Sequence, residues 1–344
     1  MTVNKKGKKE ASATTSAPAD EEKTYRPAKD VMDLFYSLPE LDASKRHAGI
    51  VSLLAKLKED SAAMDYCVER LVVGLSSPRA AARIGYSTAL SLLLPSIHEK
   101  WTAERLYELA EKKMDFKDEA QKNGQAIAHH LLATILINTG LYSHAYSVIL
   151  HQELVLYRRF SFLAMSICHS VGAMLQTVDA KQFKTLLPPL RDYLETALTS
   201  STPEFLLLLL TIRRKHAASL HEQISFVQKD GSCRFSETDL EALLASLKKC
   251  DKSVVNQLIK EILEAARSGE QFDAVYRTII EKWAASGDES RVLERIFSTA
   301  ELALQTGQSH KEVISIFSDA LMKRLAGNAT GKPSPQQRVL RGKR

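Results

Sequence analysis

Two adjacent histidines, His129 and His130, and a second pair seven residues apart, His144 and His151, are the residue types in this chain best suited to holding a metal ion. On a helix, neighbours in sequence point about 100° apart, so His129 and His130 are badly placed to share one ion. His144 and His151 fall on one helix face, but no HExxH motif or carboxylate pattern accompanies them, and they read as satisfied or solvated side chains. The segment GNATGKP at 327–333 resembles a phosphate-binding loop only loosely. It places three residues between its glycines rather than four, carries Pro333 where a serine or threonine would stand, and follows no strand. No GxSxG elbow occurs. Cys67, Cys168, Cys233 and Cys250 have neither paired spacing nor a histidine partner by motif. They read as reduced, buried small hydrophobes of an intracellular protein. Acidic residues appear singly rather than as the close pairs that hold catalytic magnesium. The sequence therefore predicts no enzyme, no cofactor and no metal.

Basic clusters remain. Lys5, Lys6, Lys8 and Lys9 form a compact patch suited to an importin groove or to nucleic-acid phosphates. Arg213, Arg214 and Lys215 follow the run FLLLLLTI and form a candidate basic surface; Arg158-Arg159 and the group Arg338, Arg341, Lys343, Arg344 are further basic signals. Arg79 and Arg83, four residues apart beside a short loop, are expected to bridge to Asp65 or Glu69 on the preceding helix. The net charge of +6 is unevenly spread. Residues 1–29 hold seven bases against four acids, 327–344 hold five bases and no acid, and 30–326 hold 35 bases against 37 acids. The basicity lies in the tails. A core that gripped nucleic acid along its surface would carry a basic excess of its own.

The elements that must position these residues are helices. Hydrophobic residues make up 44% of the chain, with only 14 glycines and 10 prolines, and few segments alternate with period two. In the stretch GLSSPRAAARIGYSTALSLLL at 74–94, Ser77 reads as an N-cap and Pro78 as the first helical residue. Ile84, Ala89, Leu90, Leu93 and Leu94 supply a wide apolar face. Met64, Val68, Leu71, Val72 and Leu75 mark a helix just upstream, and so short a loop makes the two antiparallel. Seven such pairs follow: 43–58 with 62–75, 78–95 with 102–114, 118–139 with 142–157, 158–178 with 180–199, 203–229 with 237–250, 253–267 with 271–285, and 289–306 with 309–326. Thr202-Pro203-Glu204, Ser309 with Glu312, and Ser236 with Asp239 are start signals, and Pro188-Pro189 is a break. The period of 35–50 residues is that of an all-α HEAT or armadillo-like solenoid, with an irregular α-bundle as the alternative. The predicted organisation is a disordered basic tail at 1–29, a helical-repeat domain at 30–326, and a disordered basic tail or truncation point at 327–344. No apolar run approaches the ~20 residues of a membrane span, and no apolar segment follows the N-terminal lysines as a secretory signal would require.

Residues 46–94, through Leu71, Gly74, Leu75, Arg79, Ala82, Arg83, Ala89 and Leu90, with Phe35 before them, resemble the N-terminal region of the Myb-binding protein 1A family. That family is also called DNA polymerase phi, or DNA polymerase V in fungi. Weaker echoes at 203–215, 235–247 and 272–283 extend the similarity in matching order. The resemblance implies a nuclear, chiefly nucleolar, helical-repeat scaffold tied to rRNA gene transcription, ribosome biogenesis and transcription-factor binding. Its expected partners are nuclear or nucleolar proteins and importin, with no membrane. Direct binding of rDNA or RNA, and a general cytosolic or nuclear adaptor role, are the alternatives. Family members are longer, so the chain corresponds to roughly their N-terminal third. The polymerase name carries no activity over, because no carboxylate motif of that chemistry is present.

Overall fold

A computed structural model describes residues 27–330, other than 60, 201, 248–249, 267–269, 286–288 and 307–308. The helices are α1 (Lys29–Leu34), α2 (Ala43–Glu59), α3 (Met64–Gly74), α4 (Ala80–Ile97), α5 (Ala103–Lys113), α6 (Lys122–Thr139), α7 (Tyr146–Arg159) and α8 (Ala164–Thr177). They continue as α9 (Ala180–Leu186), α10 (Arg191–Glu195), α11 (Pro203–His221), α12 (Glu237–Ser246), α13 (Lys252–Ala266), α14 (Glu270–Ala285), α15 (Glu289–Gln305) and α16 (His310–Thr330). Among the described residues no strand forms, only an isolated antiparallel bridge between Val227 and Cys233. No helix among the described residues is long and apolar enough to cross a membrane.

The helices stack in two rows. In the front row α2, α4, α6, α8, α11, α13 and α15 each pack on the next in an unbroken series. In the back row α3, α5, α7 and α9 pack in succession, and α12, α14 and α16 do the same. Within each series a helix rests on the helix next but one, and the rows meet where α3 packs on α4, α6 on α7, α13 on α14 and α15 on α16, as a helical-repeat solenoid requires. The helices follow the order of the seven expected pairs, with the member expected at 180–199 divided into α9, a 3-10 turn and α10. A continuous apolar core runs between the rows from Val31 to Ala320.

The back row is spliced between its two series. α9 and α10 pack against α7 and α11 rather than α12, and residues 222–236 occupy the interval. This segment buries Ile224, Val227 and Cys233 in the core and is tied to its neighbours by hydrogen bonds as well. Cys233 N donates to Ala265 O at 2.9 Å, Ser225 N to the Glu195 carboxylate at 2.9 Å, and Gln271 Nε2 to Cys233 O at 2.5 Å.

Local departures from the sequence reading have local causes. α4 begins at Ala80, not at Pro78. The Arg83 guanidinium donates to Ser77 O at 2.8 Å and Pro78 O at 3.2 Å, so these carbonyls are held by a side chain outside the helix. Ser77 Oγ accepts from Arg79 N at 3.3 Å, two residues along in an extended turn. α11 stops at His221, eight residues before the expected end, and is kinked at His216, whose Nε2 is 2.8 Å from Leu175 O. Ser236 caps α12 as expected, its Oγ accepting from Asp239 N at 3.1 Å. At the prolines the chain forms a short 3-10 turn, Pro188–Leu190. α16 runs on to Thr330, into the segment expected to be disordered, so the first residues of GNATGKP are helical.

Two glycines explain why the first repeats sit so close. A Cβ on Gly74 would lie 2.5 Å from the Tyr86 ring, and one on Gly85 would lie 2.0 Å from the carbonyl oxygen of Leu38. Neither contact leaves room for a side chain.

Candidate protein-binding face

A front-row helix is covered by two neighbours in its row and by the back row, which leaves one open side. α4, α6 and α8 contain a single charged residue each at most: Arg83, Lys122 and none. α3, α5 and α7 contain three, six and three. The open side of α4 presents Ile84, Thr88 and Leu92, with Ile84 and Leu92 each 53% exposed. Ile84 therefore does not belong to the buried face to which its spacing assigns it. The helix turns Ala82, Gly85, Ala89, Leu90, Leu93 and Leu94 inward instead. On α6 the surface continues through the half-buried Ile127 and Leu131, and at α8 through Phe162, Met165, His169 and Ala173. A shallow groove of about 150 Å³ then runs between α8 and α11, floored by Leu207 and Leu208 and edged by Gln176, Glu204 and Thr211. The result is a charge-poor, largely apolar and small-residue surface across α4, α6 and α8, which ends at the groove edged by Glu204.

The back row is different. Lys100 and Arg105 of the second repeat reach Asp65 at 2.7 and 3.8 Å, and Lys113 reaches Glu69 at 2.5 Å. Gln152 Nε2 donates to Glu111 at 3.1 Å, Lys282 pairs with Glu241, and Lys323 with Glu281 at 3.0 Å. Each of these joins one back-row helix, or the turn leading into it, to a neighbour in that row. Among the described residues no ion pair joins α4 to α6 or α6 to α8.

Several residues expected at a surface are inside or already engaged. Arg213 is 2% exposed and bonds Leu210 O at 2.5 Å and the Glu261 carboxylate at 3.2 Å. Arg214 pairs with Glu261 at 3.6 Å and with Glu264. Lys215 Nζ donates to Gln176 O at 2.5 Å. The expected basic surface at 213–215 is thus a clamp that joins α11 to α13 and α8. Glu261 and Glu264 of α13 pair with Arg213 and Arg214, while Arg214 and Lys215 stay exposed. Arg79 and Arg83 do not bridge to Asp65 or Glu69, which are held by Lys100, Arg105 and Lys113. Arg79 donates to Pro39 O at 3.0 Å, and Arg83 holds the loop carbonyls described above. Leu71, Leu75 and Ala82 are buried between these helices.

The adjacent histidines part company as helical geometry demands. His129 lies 3.2 Å from Met114 O and packs on the Phe116 ring, and burial lowers its pKa. His130 Nδ1 lies 2.8 Å from Glu153 and its Nε2 lies 2.7 Å from Ser166 Oγ, with Ser170 Oγ donating to Glu153 at 3.3 Å. Glu153 is fully buried. Desolvation pushes its carboxyl pKa up, and the His130 and Ser170 bonds pull it down without cancelling the rise. This knot joins α6, α7 and α8 and was missed in the sequence. The signal was available: Glu153 stands in register with Tyr146, Ile149, Leu150 and Leu154, the buried side of α7.

His144 and His151 are both exposed. Among the described residues no three His, Cys, Asp or Glu side chains gather where they could hold a metal ion. Cys67, Cys168 and Cys233 are buried and Cys250 is half-buried; burial raises the thiol pKa of Cys168, and that of Cys233 to about 12. Lys5, Lys6, Lys8, Lys9 and the bases at 338–344 lie outside the described residues.

Comparison with known proteins adds three findings. A family described as DNA polymerase phi matches residues 66–332. Myb-binding protein 1A of Rattus norvegicus is 23% identical over 288 residues, covering 80% of this chain and 21% of the relative. Myb-binding protein 1A of Mus musculus is 22% identical over 284 residues, covering 79% of this chain and 21% of the relative. The chain thus spans about a fifth of the length of these relatives. No solved structure matches.

Proposed function

Since the chain belongs to the DNA polymerase phi family, we propose that it is a non-enzymatic nuclear scaffold that binds a transcription factor on the front row of its helices. The observation that carries this reading is the charge-poor surface over α4, α6 and α8, continued by the groove against α11, in a protein whose back row is crowded with ion pairs. Interface cores are depleted in charge and rich in apolar and aromatic side chains, and an exposed patch of that kind marks a place of contact. The name of the relatives says that they bind Myb, which suggests a Myb-type factor as the partner. An amphipathic helix laid into the groove at α8 and α11 would bury its apolar side against Leu207 and Met165.

The finer reading is a nucleolar regulator of rRNA gene transcription and ribosome biogenesis. Lys5, Lys6, Lys8 and Lys9 would serve importin-dependent entry. A polymerase reading lacks support because no acidic side chains among the described residues cluster as nucleotide transfer needs around its metal ions, and of the three bases at 213–215 Arg213 is buried and Arg214 is paired with Glu261 and Glu264.

Binding of a purified Myb-type factor to the wild-type chain and to an Ile84→Asp, Leu92→Asp double variant tests the scaffold reading. Binding that is lost in the variant supports it. Absence of binding, or binding indifferent to the two substitutions, refutes it. Imaging of the tagged chain with and without residues 1–27 tests the nuclear address, and exclusion of the intact chain from the nucleus would overturn it.

A further inference from the structure

Because α4 begins at Ala80, the Ser77-Pro78 step is left in the turn before it. Ser77 is half-buried, and Pro78, Arg79 and Ala80 are exposed. A residue before proline is held extended, and Arg79 is extended too, with φ −86° and ψ 122°. A serine hydroxyl followed by proline in extended surface backbone is the form in which proline-directed protein kinases take an acceptor. Arginines surround this serine. Arg79 N donates to Ser77 Oγ at 3.3 Å, and the Arg83 guanidinium donates to Ser77 O at 2.8 Å and Pro78 O at 3.2 Å. The Arg79 guanidinium reaches Pro39 O at 3.0 Å, and Arg46 of α2 reaches Glu40 O at 2.7 Å. All of these side chains donate to neutral carbonyls. Among the described residues no carboxylate pairs with Arg46, Arg79 or Arg83, whereas Lys100 and Lys113 of the back row have acids to hold. Of the acids in this corner, Asp42 accepts from Ser44 N at 2.8 Å and Glu40 is exposed.

We propose that Ser77 is a phosphorylation site whose phosphate is clamped by Arg79 and Arg83. In the transfer Ser77 Oγ attacks the γ-phosphorus of MgATP, its proton passes to the catalytic base of the kinase, and ADP leaves. The product carries a charge of about −1.5 to −2 at pH 7 and three strong acceptor oxygens. A phosphoryl group extends one bond beyond the hydroxyl, towards a guanidinium that already touches the carbonyl of the same residue. Bonds to a charged acceptor are roughly twice as strong as those to a neutral one. The guanidiniums therefore exchange carbonyl oxygens for phosphoryl oxygens. The start of α4, which has no side-chain cap, adds its dipole to the same field. The other such step among the described residues, Thr202-Pro203, is a poor counterpart. Its next residue is Glu204, and Thr202 Oγ1 lies 3.2 Å from Ser200 Oγ, so a phosphate there would meet a like charge.

The test treats the full chain with MgATP and a proline-directed kinase chosen because it phosphorylates a free peptide of residues 70–83. Mass spectrometry should find phosphate on Ser77, and Ser77→Ala should lose it. Phosphorus-31 NMR then follows the second ionisation of that phosphate. The free phosphopeptide, which has the same arginines without the fold, supplies the reference at about 6. In the folded chain the midpoint should fall about one unit lower. It should return at least half way in Arg83→Gln and, separately, in Arg79→Gln, with circular dichroism melting confirming that each variant is folded. A folded chain left unlabelled at Ser77 while the peptide is labelled overturns the proposal. So does a phosphate that titrates as it does in the peptide, or one that is indifferent to both arginine variants.

Discussion

The front and back rows are built from the same kind of helix, cover the same core, and put their charges in opposite places. In the back row the charges are mostly outside and paired between neighbouring helices, the buried Glu153 of α7 being an exception. In the front row from α4 to α8 the outside carries few charges, while His130 of α6 and, further along, Arg213 of α11 are turned inward. Exposed pairs add little stability, a median of about 0–1 kcal/mol each, but they keep a surface wet and unattractive to apolar partners. A neutral surface stabilises the monomer no better, and its solvation is easily displaced. On the proposed reading the back row is left to solvent and the front row to a partner.

The largest effect that would break this contrast is at Arg213. Replacing it with leucine leaves Glu261 with Arg214 as its remaining partner and should cost about 1.5–3 kcal/mol, read as a lower urea midpoint. A loss below about 1 kcal/mol would mean that the inward charge does not hold α11 to α13. Next comes the front surface itself. The Ile84→Asp, Leu92→Asp variant should weaken partner binding at least about tenfold while a Glu108→Lys, Lys112→Glu exchange on α5 does not; equal losses from both would erase the distinction between rows.

The inward knot at Glu153 gives a smaller, pH-dependent signal. The folded state favours the protonated carboxyl, so its contribution is full below the ordinary value of 4.5 and is lost as the pH rises through the higher folded value. His129 and His216, whose pKa values burial lowers, work in the opposite sense and lose stability as the pH falls. They cancel when wild type is compared with Glu153→Gln. The unfolding free energy of wild type minus that of the variant should decline from acid towards neutral pH, and a flat or rising difference would count against a strained buried acid. Smallest of all, Asp65→Asn on the back row should cost no more than about 1 kcal/mol, with the cost shrinking in high salt.

The hairpin order was legible because helical period and short loops are local properties: Gly74 with Ser76 and Ser77, Thr202-Pro203 and Ser236 each announce a boundary within a few residues. The start of α4 was misplaced by two residues because Arg83 reaches back to Ser77 and Pro78, a tertiary contact that no capping rule encodes. Arg213 read as surface because three bases in a row suggest a polar face. Its burial depends on Glu261, 48 residues away. The neutral front row was in the sequence all along, in α4, α6 and α8. Dividing the charge between tails and core concealed it, because the informative division is between alternate helices.

The splice at residues 222–236 has a mechanical meaning. One rail of the array is continuous and the other is joined through an irregular segment, as in a beam with one whole flange and one seamed flange. Such a beam would bend first at its seam. A load on either end is then expected to change the angle between α10 and α12 more than the spacing of the front-row helices, and with it the width of the groove beside α11.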